Sequence, residues 1–131
     1  MPESRLLFDT DVLIDYLRGE PQAIAYLEER TEILMVSAVT IAELFAGVRE
    51  GEERRRLNSF LRIFEVVDVS QQIAERGGLI RRGYKRSHNT SLPDAIIAAT
   101  AELAPASLVT LNDKHFPMLE GVIVPYRKSS G

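Results

Sequence analysis

Short apolar runs alternate along the chain with longer segments in which apolar residues recur every three or four positions. The first run, 5–8, is almost wholly apolar and too short to alternate between two faces, which is typical of a buried strand. The longer segments have the period of amphipathic helices, as in the stripe of Leu57, Phe60, Leu61 and Phe64. The pattern predicts strands at 5–8, 33–36, 65–69, 108–111 and 122–124, and helices at 12–18, 22–30, 39–48, 52–64, 71–86 and 92–103.

The order of these elements, strands and helices in alternation, favours an α/β fold with helices on both faces of the sheet. We predict one three-layer α/β/α domain over residues 1–131, with a central, mostly parallel sheet of four to five strands. The chain shows no linker, repeat or low-complexity tract. Residues 127–131 are predicted to form a disordered tail, and the Gly77-Gly78 pair to weaken the helix at 71–86.

Acidic residues follow the first predicted strand and recur near the ends of other elements. Asp9 and Asp11 come directly after the strand at 5–8, and Asn112 and Asp113 follow the strand at 108–111. Parallel sheets place their ligand sites outside the carboxyl ends of the strands. Like charges gathered there repel one another, so a divalent cation is the first candidate to neutralise them.

Two further acids, Glu43 and Asp94, are expected at helix starts, and each acid also has a purely structural explanation. The segments 40–43 and 91–94 match capping boxes, while Asp9 and Asp11 could cap the first helix. The helix at 92–103 has almost no polar face, which predicts that it is buried. A carboxylate at its buried end needs a partner, and a cation shared by several acids meets that need most simply.

Composition and charge exclude some classes of protein and of binding site, but they do not identify the function. The chain has 131 residues, of which 45% are hydrophobic and 27% charged, as in ordinary globular domains. The absence of cysteine excludes disulfides and zinc-thiolate sites. No apolar run is long enough for a membrane span or a signal peptide, so we expect a cytoplasmic protein with no membrane partner. The net charge of −3 does not by itself predict nucleic-acid binding.

The stretch "LLFDTDVL" allows a phosphatase interpretation. It matches the first motif of haloacid-dehalogenase-type phosphatases, in which the residue at Asp9 would be a nucleophile and that at Asp11 an acid. Lys114 and Asp113 are poor candidates for the other residues that such an enzyme needs, and the usual Gly-Thr does not follow the motif. The chain is also short for that fold, but the alternative stays open.

Four motifs in order carry a second resemblance that covers essentially the whole chain. They are "LLFDTDVLIDYL", "VSAVTIAELFAGV", "LPDAIIAATA" and "LVTLNDKHF". On these motifs the chain resembles the PIN-domain family, and within it the VapC-type toxin ribonucleases. The resemblance implies a Mg²⁺- or Mn²⁺-dependent endoribonuclease, the toxin of a type II toxin–antitoxin module. It also implies inhibition by a VapB-type antitoxin, and a homodimer. A non-catalytic PIN-like adaptor is the alternative.

The resemblance also implies roles for individual residues. The implied catalytic residues are Asp9, Glu43, Asp94 and Asp113. The implied metal ligands are Asp9, Asp94, Asp113 and Asn112, and the supporting residues are Thr10, Asp11 and Thr110. Asn112 aligns with the family's fourth acidic position and Asp113 is its neighbour, so which of the two fills that position stays open.

Hard carboxylate oxygens suit Mg²⁺ or Mn²⁺, and either ion would lower the pKa of a bound water and neutralise charge at the phosphorus centre. In-line attack would then leave a 5′-phosphate and a 3′-hydroxyl. A metal-free ribonuclease would use histidine as acid and base. The two histidines, His88 and His115, are predicted to be surface or rim residues instead.

Basic residues that could contact RNA phosphates cluster in "RRGYKRSH", namely Arg81, Arg82, Lys85 and Arg86. The arginines at 54–56 are predicted to be a solvated helix face instead. The helices at 12–18 and 52–64 could line a groove for an amphipathic partner helix, with Tyr16 and Leu17 among its residues.

Overall fold

The computed structural model describes residues 4–127 and has a four-stranded, fully parallel sheet in the order β3-β2-β1-β4. The strands are β1 (Arg5–Phe8), β2 (Ile33–Ser37), β3 (Glu65–Val67) and β4 (Ser107–Val109). Within residues 4–127 the helices are α1 (Thr10–Leu17), α2 (Pro21–Glu28), α3 (Ala38–Ala46), α4 (Glu52–Leu61), α5 (Gln71–His88) and α6 (Leu92–Leu103). A short 3₁₀ turn covers Asp113–His115. The predicted α/β/α class with four to five parallel strands is confirmed.

The central strand β1 separates two apolar cores. Leu6 and Phe8 point into one core and Leu7 into the other, as the twofold period of a strand requires. All three side chains are buried. The first core receives α1 and α4, and the second receives α5 and α6. Both faces of the sheet are therefore covered, which explains why β1 is apolar without alternation.

The predicted fifth strand at 122–124 is reduced to a single parallel bridge between Ile123 and Val109. The Ile123 N–H donates to the Leu108 carbonyl at 2.8 Å, and the Thr110 N–H donates to the Ile123 carbonyl at 3.0 Å. This contact ties the C-terminal segment to the end of β4. Of the predicted tail at 127–131, only Arg127 lies within the described residues.

Helix α5 runs unbroken through Gly77-Gly78, so the predicted weak point is wrong. A Cβ at Gly77 would lie 2.9 Å from Ile96 Cγ1 and 3.1 Å from Ile96 Cα. The missing side chain lets α5 pack directly against the backbone of α6. Close helix packing at this position outweighs the low helix propensity of glycine.

The helix starts differ in part from the predicted capping boxes. Helix α3 begins at Ala38, because Ser37 caps it by accepting from the Val39 N–H at 3.1 Å. Glu43 therefore lies in the second turn of α3, and the predicted capping box at 40–43 is wrong. Helix α6 does begin as predicted, with Ser91 Oγ accepting from the Asp94 N–H at 3.2 Å. In the described chain, no helix combines the length and the apolar character needed to cross a bilayer.

Candidate active site

The polar cluster lies at the carboxyl edge of the sheet, beside the central strand. The chain passes from β1 to β2 and β3 on one side, then returns to place β4 on the other side of β1. Strand order therefore reverses between β1 and β4, which is where open α/β sheets bind ligands. Asp9 follows β1 at this point and Thr110 follows β4.

Asp9 is held by contacts from both neighbouring segments and is only 7% exposed. It caps α1, with Oδ1 accepting from the Thr10 N–H at 2.8 Å. Its Oδ2 accepts from the Thr110 hydroxyl, also at 2.8 Å. The predicted capping role of Asp9 is confirmed, and its second oxygen still reaches across to the neighbouring strand.

Asp11 lies next to this pair and is fixed by backbone donors. Its Oδ1 accepts from the Val12 N–H at 2.7 Å, and its Oδ2 accepts from the Leu111 N–H at 3.0 Å. The Thr110 hydroxyl is 3.4 Å from Asp11 Oδ2, so its single proton goes to Asp9 at the shorter distance. The Thr110 hydroxyl therefore lies between the two carboxylates and donates to Asp9.

Burial and crowding raise the pKa of both carboxyl groups. The pKa of Asp9 rises from 3.8 to about 7, first because the group is buried and then because Asp11 is beside it. The charge of Asp94 adds to this, while the bonds from Thr110 and Thr10 oppose it. The pKa of Asp11 is also raised, chiefly by burial. Within residues 4–127, neither group forms an ion pair with a lysine or arginine.

Thr10 links this cluster to Glu43, because its N–H donates to Asp9 and its hydroxyl donates to Glu43. The Thr10 hydroxyl donates to Glu43 Oε1 at 2.6 Å, and the Thr40 hydroxyl lies 3.2 Å from the Thr10 hydroxyl. Thr40 is fully buried, whereas Glu43 is exposed to solvent. The sequence did not indicate Thr40, because its role depends on the packing of α3 against α1.

Asp94 approaches the cluster from the first turn of α6. Its Oδ2 lies 3.2 Å from His115 Nδ1, and the same nitrogen lies 3.3 Å from Asn112 Nδ2. Besides burial and Asp11, the charge of Asp94 also raises the pKa of Asp9, by a smaller amount, so the two carboxylates interact electrostatically. His115, which lies within the fourth motif and was predicted to be a surface or rim residue, is therefore in contact with the site.

The fourth-motif residues Asn112 and Asp113 point in different directions. Asn112 joins the Asp94 network through His115. Asp113 lies 3.7 Å from the Arg127 guanidinium, in an ion pair whose arginine side chain is largely exposed. The geometry therefore favours Asn112 over Asp113 as the residue facing the carboxylates, and the assignment of the fourth ligand stays a prediction.

The donor set suits a hydrated divalent cation. No three carboxylate or imidazole side chains in residues 4–127 lie close enough together to enclose a metal ion by themselves. Mg²⁺, however, keeps several waters and binds through one or two carboxylates instead of a full protein cage. Asp9 and Asp94 offer such a pair, and the raised pKa of Asp9 marks negative charge that the described protein does not compensate.

The basic residues of α5 differ from those of α4. On α4, Arg54 pairs with Glu50 at 2.8 Å and Arg55 with Glu52 at 2.6 Å, and all four side chains are more than half exposed. The prediction of a solvated face is therefore confirmed for these two arginines.

On α5, Arg82, Lys85 and Arg86 are exposed and none of them has an ion pair within the described residues. Arg81 is half-buried, and its Nε is a buried atom without a hydrogen-bond partner. Three of the four predicted RNA contacts thus present unneutralised charge to solvent.

A cleft of roughly 430 Å³ opens beside Glu43, between α1, α3 and α4. Its apolar wall includes Leu17 and Leu44, and its rim includes Arg18 and Arg56. The predicted groove between the first and fourth helices is therefore present. Phe60 and Phe64 of the predicted apolar stripe are buried core residues, and Tyr16 stacks on Phe60 with ring centroids 4.6 Å apart.

Fold and site together define a class of protein, a parallel α/β/α domain with a carboxylate cluster where its strand order reverses. The family model described as PIN domain matches residues 6–121. The chain therefore belongs to the PIN domain family, as its four motifs predicted. The phosphatase alternative, which rested on Asp9 and Asp11, receives no support from this match.

Relatives match over almost the entire chain. The chain is 42% identical over 124 residues to Ribonuclease VapC10 of Mycobacterium tuberculosis, with 92% of each chain covered. It is 40% identical to Ribonuclease VapC19 of the same organism, over 92% of this chain and 98% of that one. A solved toxin–antitoxin complex from Klebsiella pneumoniae contains a chain that matches with a TM-score of 0.82 and 37% identity, covering 94% of this chain and 99% of that one.

Proposed function

We propose that this protein is a divalent-metal-dependent endoribonuclease and the toxin of a type II toxin–antitoxin module, acting in the cytoplasm. The relatives at 42% and 40% identity carry the name ribonuclease, and the solved neighbour at 37% identity is part of a toxin–antitoxin complex. These likenesses support the reaction class. The residues that would carry it out are argued from the site.

The observation that carries the proposal is the buried pair Asp9 and Asp11, whose pKa values are both raised and which have no positive partner in the described chain. A cation would stabilise both groups in their charged form. Asp9, Asp94 and Asn112 are the proposed ligands, with Asp113 as the alternative to Asn112. When bound, Mg²⁺ or Mn²⁺ would supply charge neutralisation at the scissile phosphate and a water of lowered pKa.

The surrounding hydroxyls orient the acidic groups. The Thr10 N–H and the Thr110 hydroxyl each donate to one oxygen of Asp9. The Thr10 hydroxyl donates to one oxygen of Glu43, and these bonds set the direction of both carboxylates. Glu43 is exposed at the edge of the cleft, where it can accept a proton from an attacking water. In this proposal Asp9 and Asp94 bind the cation, and Glu43 accepts the proton of the attacking water.

The exposed basic residues of α5 are proposed to bind RNA. Arg82, Lys85 and Arg86 stand in the last turns of the helix that leads directly into α6 and Asp94. An RNA phosphate chain would replace the counterions of these unpaired side chains, which favours binding and makes it sensitive to salt.

The partner is proposed to be a VapB-type antitoxin that occupies the cleft beside Glu43. The cleft offers an apolar wall for a helix or extended segment, and Glu43 offers a carboxylate to a basic side chain of that partner. A homodimer is proposed as well, on the family resemblance.

Cleavage of RNA by the purified protein tests the proposal. With Mn²⁺ or Mg²⁺ we expect fragments with 5′-phosphate and 3′-hydroxyl ends, and we expect EDTA to abolish cleavage. Glu43→Gln should lower the rate by roughly 100-fold or more, the usual scale for a general base. Glu28→Gln, on the exposed surface of α2, is the matched control and should cleave at the normal rate.

Undiminished cleavage in excess EDTA would contradict the metal-dependent mechanism. Undiminished cleavage by Glu43→Gln would remove Glu43 from the proton transfer. A protein that binds RNA but never cleaves it would instead support the non-catalytic adaptor.

A further inference from the structure

The loop after β4 is clamped onto the start of α6 at His115. The buried Thr90, which precedes α6, donates its hydroxyl to the His115 carbonyl at 3.0 Å. The His115 N–H donates to the Asn112 carbonyl at 3.0 Å, and the neighbouring Phe116 is buried in the core. The backbone of His115 is therefore fixed on both sides, beside the start of α6.

The imidazole is aimed at Asp94. His115 Nδ1 lies 3.2 Å from Asp94 Oδ2, with the histidine side chain 32% exposed and the aspartate 21%. An ionised carboxylate can only accept, so Nδ1 must carry the proton in this contact. That nitrogen cannot also accept from the Asn112 amide 3.3 Å away. The Asn112 amide is therefore assigned with its oxygen toward Nδ1–H, because amide orientation follows the hydrogen-bond network, and the second lone pair of that oxygen is left for a cation.

We propose that His115 is a positioning residue, which fixes the orientation of Asp94 through an Nδ1–H hydrogen bond to one carboxylate oxygen. The other oxygen of Asp94 is left for the cation, in the way that outer hydrogen-bond partners commonly orient metal ligands. The inference rests on the proposed function as far as Asp94 is a metal ligand. The hydrogen bond itself does not depend on that role.

The tautomer of His115 tests the hydrogen bond without any metal. In EDTA at pH 8, long-range ¹H–¹⁵N correlation spectra should show His115 with its proton on Nδ1. Asp94→Ala removes the acceptor and should return His115 to the Nε2–H form that free imidazole side chains prefer. His88, whose Nδ1 contacts only Ser87 in the described chain, is the internal control and should not respond. An Nε2–H tautomer at His115 in the unaltered protein would overturn the proposal.

Manganese affinity, measured by calorimetry, tests the consequence for the site. His115→Phe keeps a ring but removes the donor, and should weaken Mn²⁺ binding by roughly 10- to 100-fold. His115→Asn places an N–H near the position of Nδ1 and should bind within a few-fold of the unaltered protein. His115→Gln places its donor nearer the position of Nε2 and should rescue poorly. His88→Phe is the matched control and should bind normally.

The outcomes separate the inference from the proposed function. Equal Mn²⁺ affinity in the His115→Phe and unaltered proteins would overturn the positioning role. Equal rescue by Asn and Gln would overturn the specific contact at Nδ1. If the unaltered protein binds no Mn²⁺ while His115 still shows the Nδ1–H tautomer, the metal assignment fails and the hydrogen bond stands. Circular dichroism and thermal melting establish that each variant is folded.

Discussion

Asp9 occupies a position that its own charge disfavours. Burial and the neighbouring Asp11 raise its pKa to about 7, so the folded protein binds more protons than the unfolded chain between about pH 4 and pH 7. Its contribution to stability is therefore fully present below about pH 4 and is lost as the pH rises through about 7. Without a cation, the site weakens the fold at neutral pH.

Asp9→Asn should remove this destabilisation at neutral pH, because the amide carries no charge in the buried site. In EDTA the unaltered protein is expected to lose stability between pH 5 and pH 8, by at most about 3 kcal/mol, since about two pH units separate pH 5 from the pKa of Asp9 and one unit corresponds to about 1.4 kcal/mol. The variant should show a flatter dependence and should be the more stable protein at pH 8, although it has lost its activity. Denaturant unfolding at the two pH values measures both effects.

The exposed Asp68→Asn is the matched control and should keep the pH dependence of the unaltered protein. A steep loss of stability in Asp9→Asn, equal to that of the unaltered protein, would show that other groups carry the effect.

At the residue scale, the sequence pointed to the acids and to Thr10 and Thr110 as their supports, but it did not show the contacts of Thr40 and His115. Asp9 and Asp94 could be found because a strand end or a helix cap precedes them in the chain. Thr40 and His115 could not, since their contacts join residues 30 and 21 positions away. Contacts of that kind depend on how the helices pack and leave no local signal.

At the scale of elements, α4 and α5 each carry a cluster of basic residues but present them differently. On α4, Arg54 and Arg55 are neutralised by nearby glutamates, whereas Arg82 and Arg86 on α5 have no such partners in the described chain. Charge density alone would not distinguish the two helices. The two helices differ in whether nearby glutamates form ion pairs with these arginines.

Replacing Arg82 and Arg86 together by Ser should weaken RNA binding and flatten its salt dependence. Each phosphate contact with a single strand contributes about 0.7 to the slope of log K against log salt, so the slope should fall by about 1.4. The matched control is the replacement of Arg54 and Arg55 by Ser, which also removes two arginines. Fluorescence anisotropy with a labelled RNA over a salt series provides the measurement.

An unchanged slope in the α5 variant would show that Arg82 and Arg86 do not contact RNA phosphates and belong to a solvated helix face. Equal changes in both variants would mean that the protein responds only to its total charge.

The positions of the elements were largely predictable, and the differences at Gly77 and at 122–124 have a common cause. The period of apolar residues located the helices and strands, but Gly77 and the segment 122–124 depend on what lies beside them. Ile96 comes so close to Gly77 that the glycine strengthens the packing, and Val109 offers Ile123 only one bridge. These contacts cannot be predicted from local helix or strand propensity, because they join separate segments of the chain.

At the scale of the whole molecule, the cleft beside Glu43 is expected to control activity through its occupant. Gly47 lines this cleft, and a Cβ placed there would meet nothing within 4 Å. Gly47→Trp should therefore obstruct the cleft without disturbing the core. We expect the protein from its native host to purify with a small partner, and this variant to lose that partner while it stays folded.

Gly78→Trp is the matched control, because a Cβ at Gly78 also meets nothing within 4 Å and the residue lies on α5, away from the cleft. Light scattering gives the size of each species, and we expect the isolated protein to be a dimer. A monomer that is harmless when overexpressed would count against the toxin assignment. Retention of the partner by Gly47→Trp would place the interface elsewhere.

The bond between Thr110 and Asp9 joins residues 101 positions apart in the chain. During synthesis, Asp9 and the whole of α1 leave the ribosome long before β4 has been made. Until β4 adds to the sheet beside β1, Asp9 lacks the hydroxyl that orients it, and His115 has yet to reach Asp94. Such distant pairings form late in folding. A growing chain therefore has no assembled active site, and the danger that an RNA-cleaving enzyme would pose to its own messenger is deferred until β4 and the loop after it have been made.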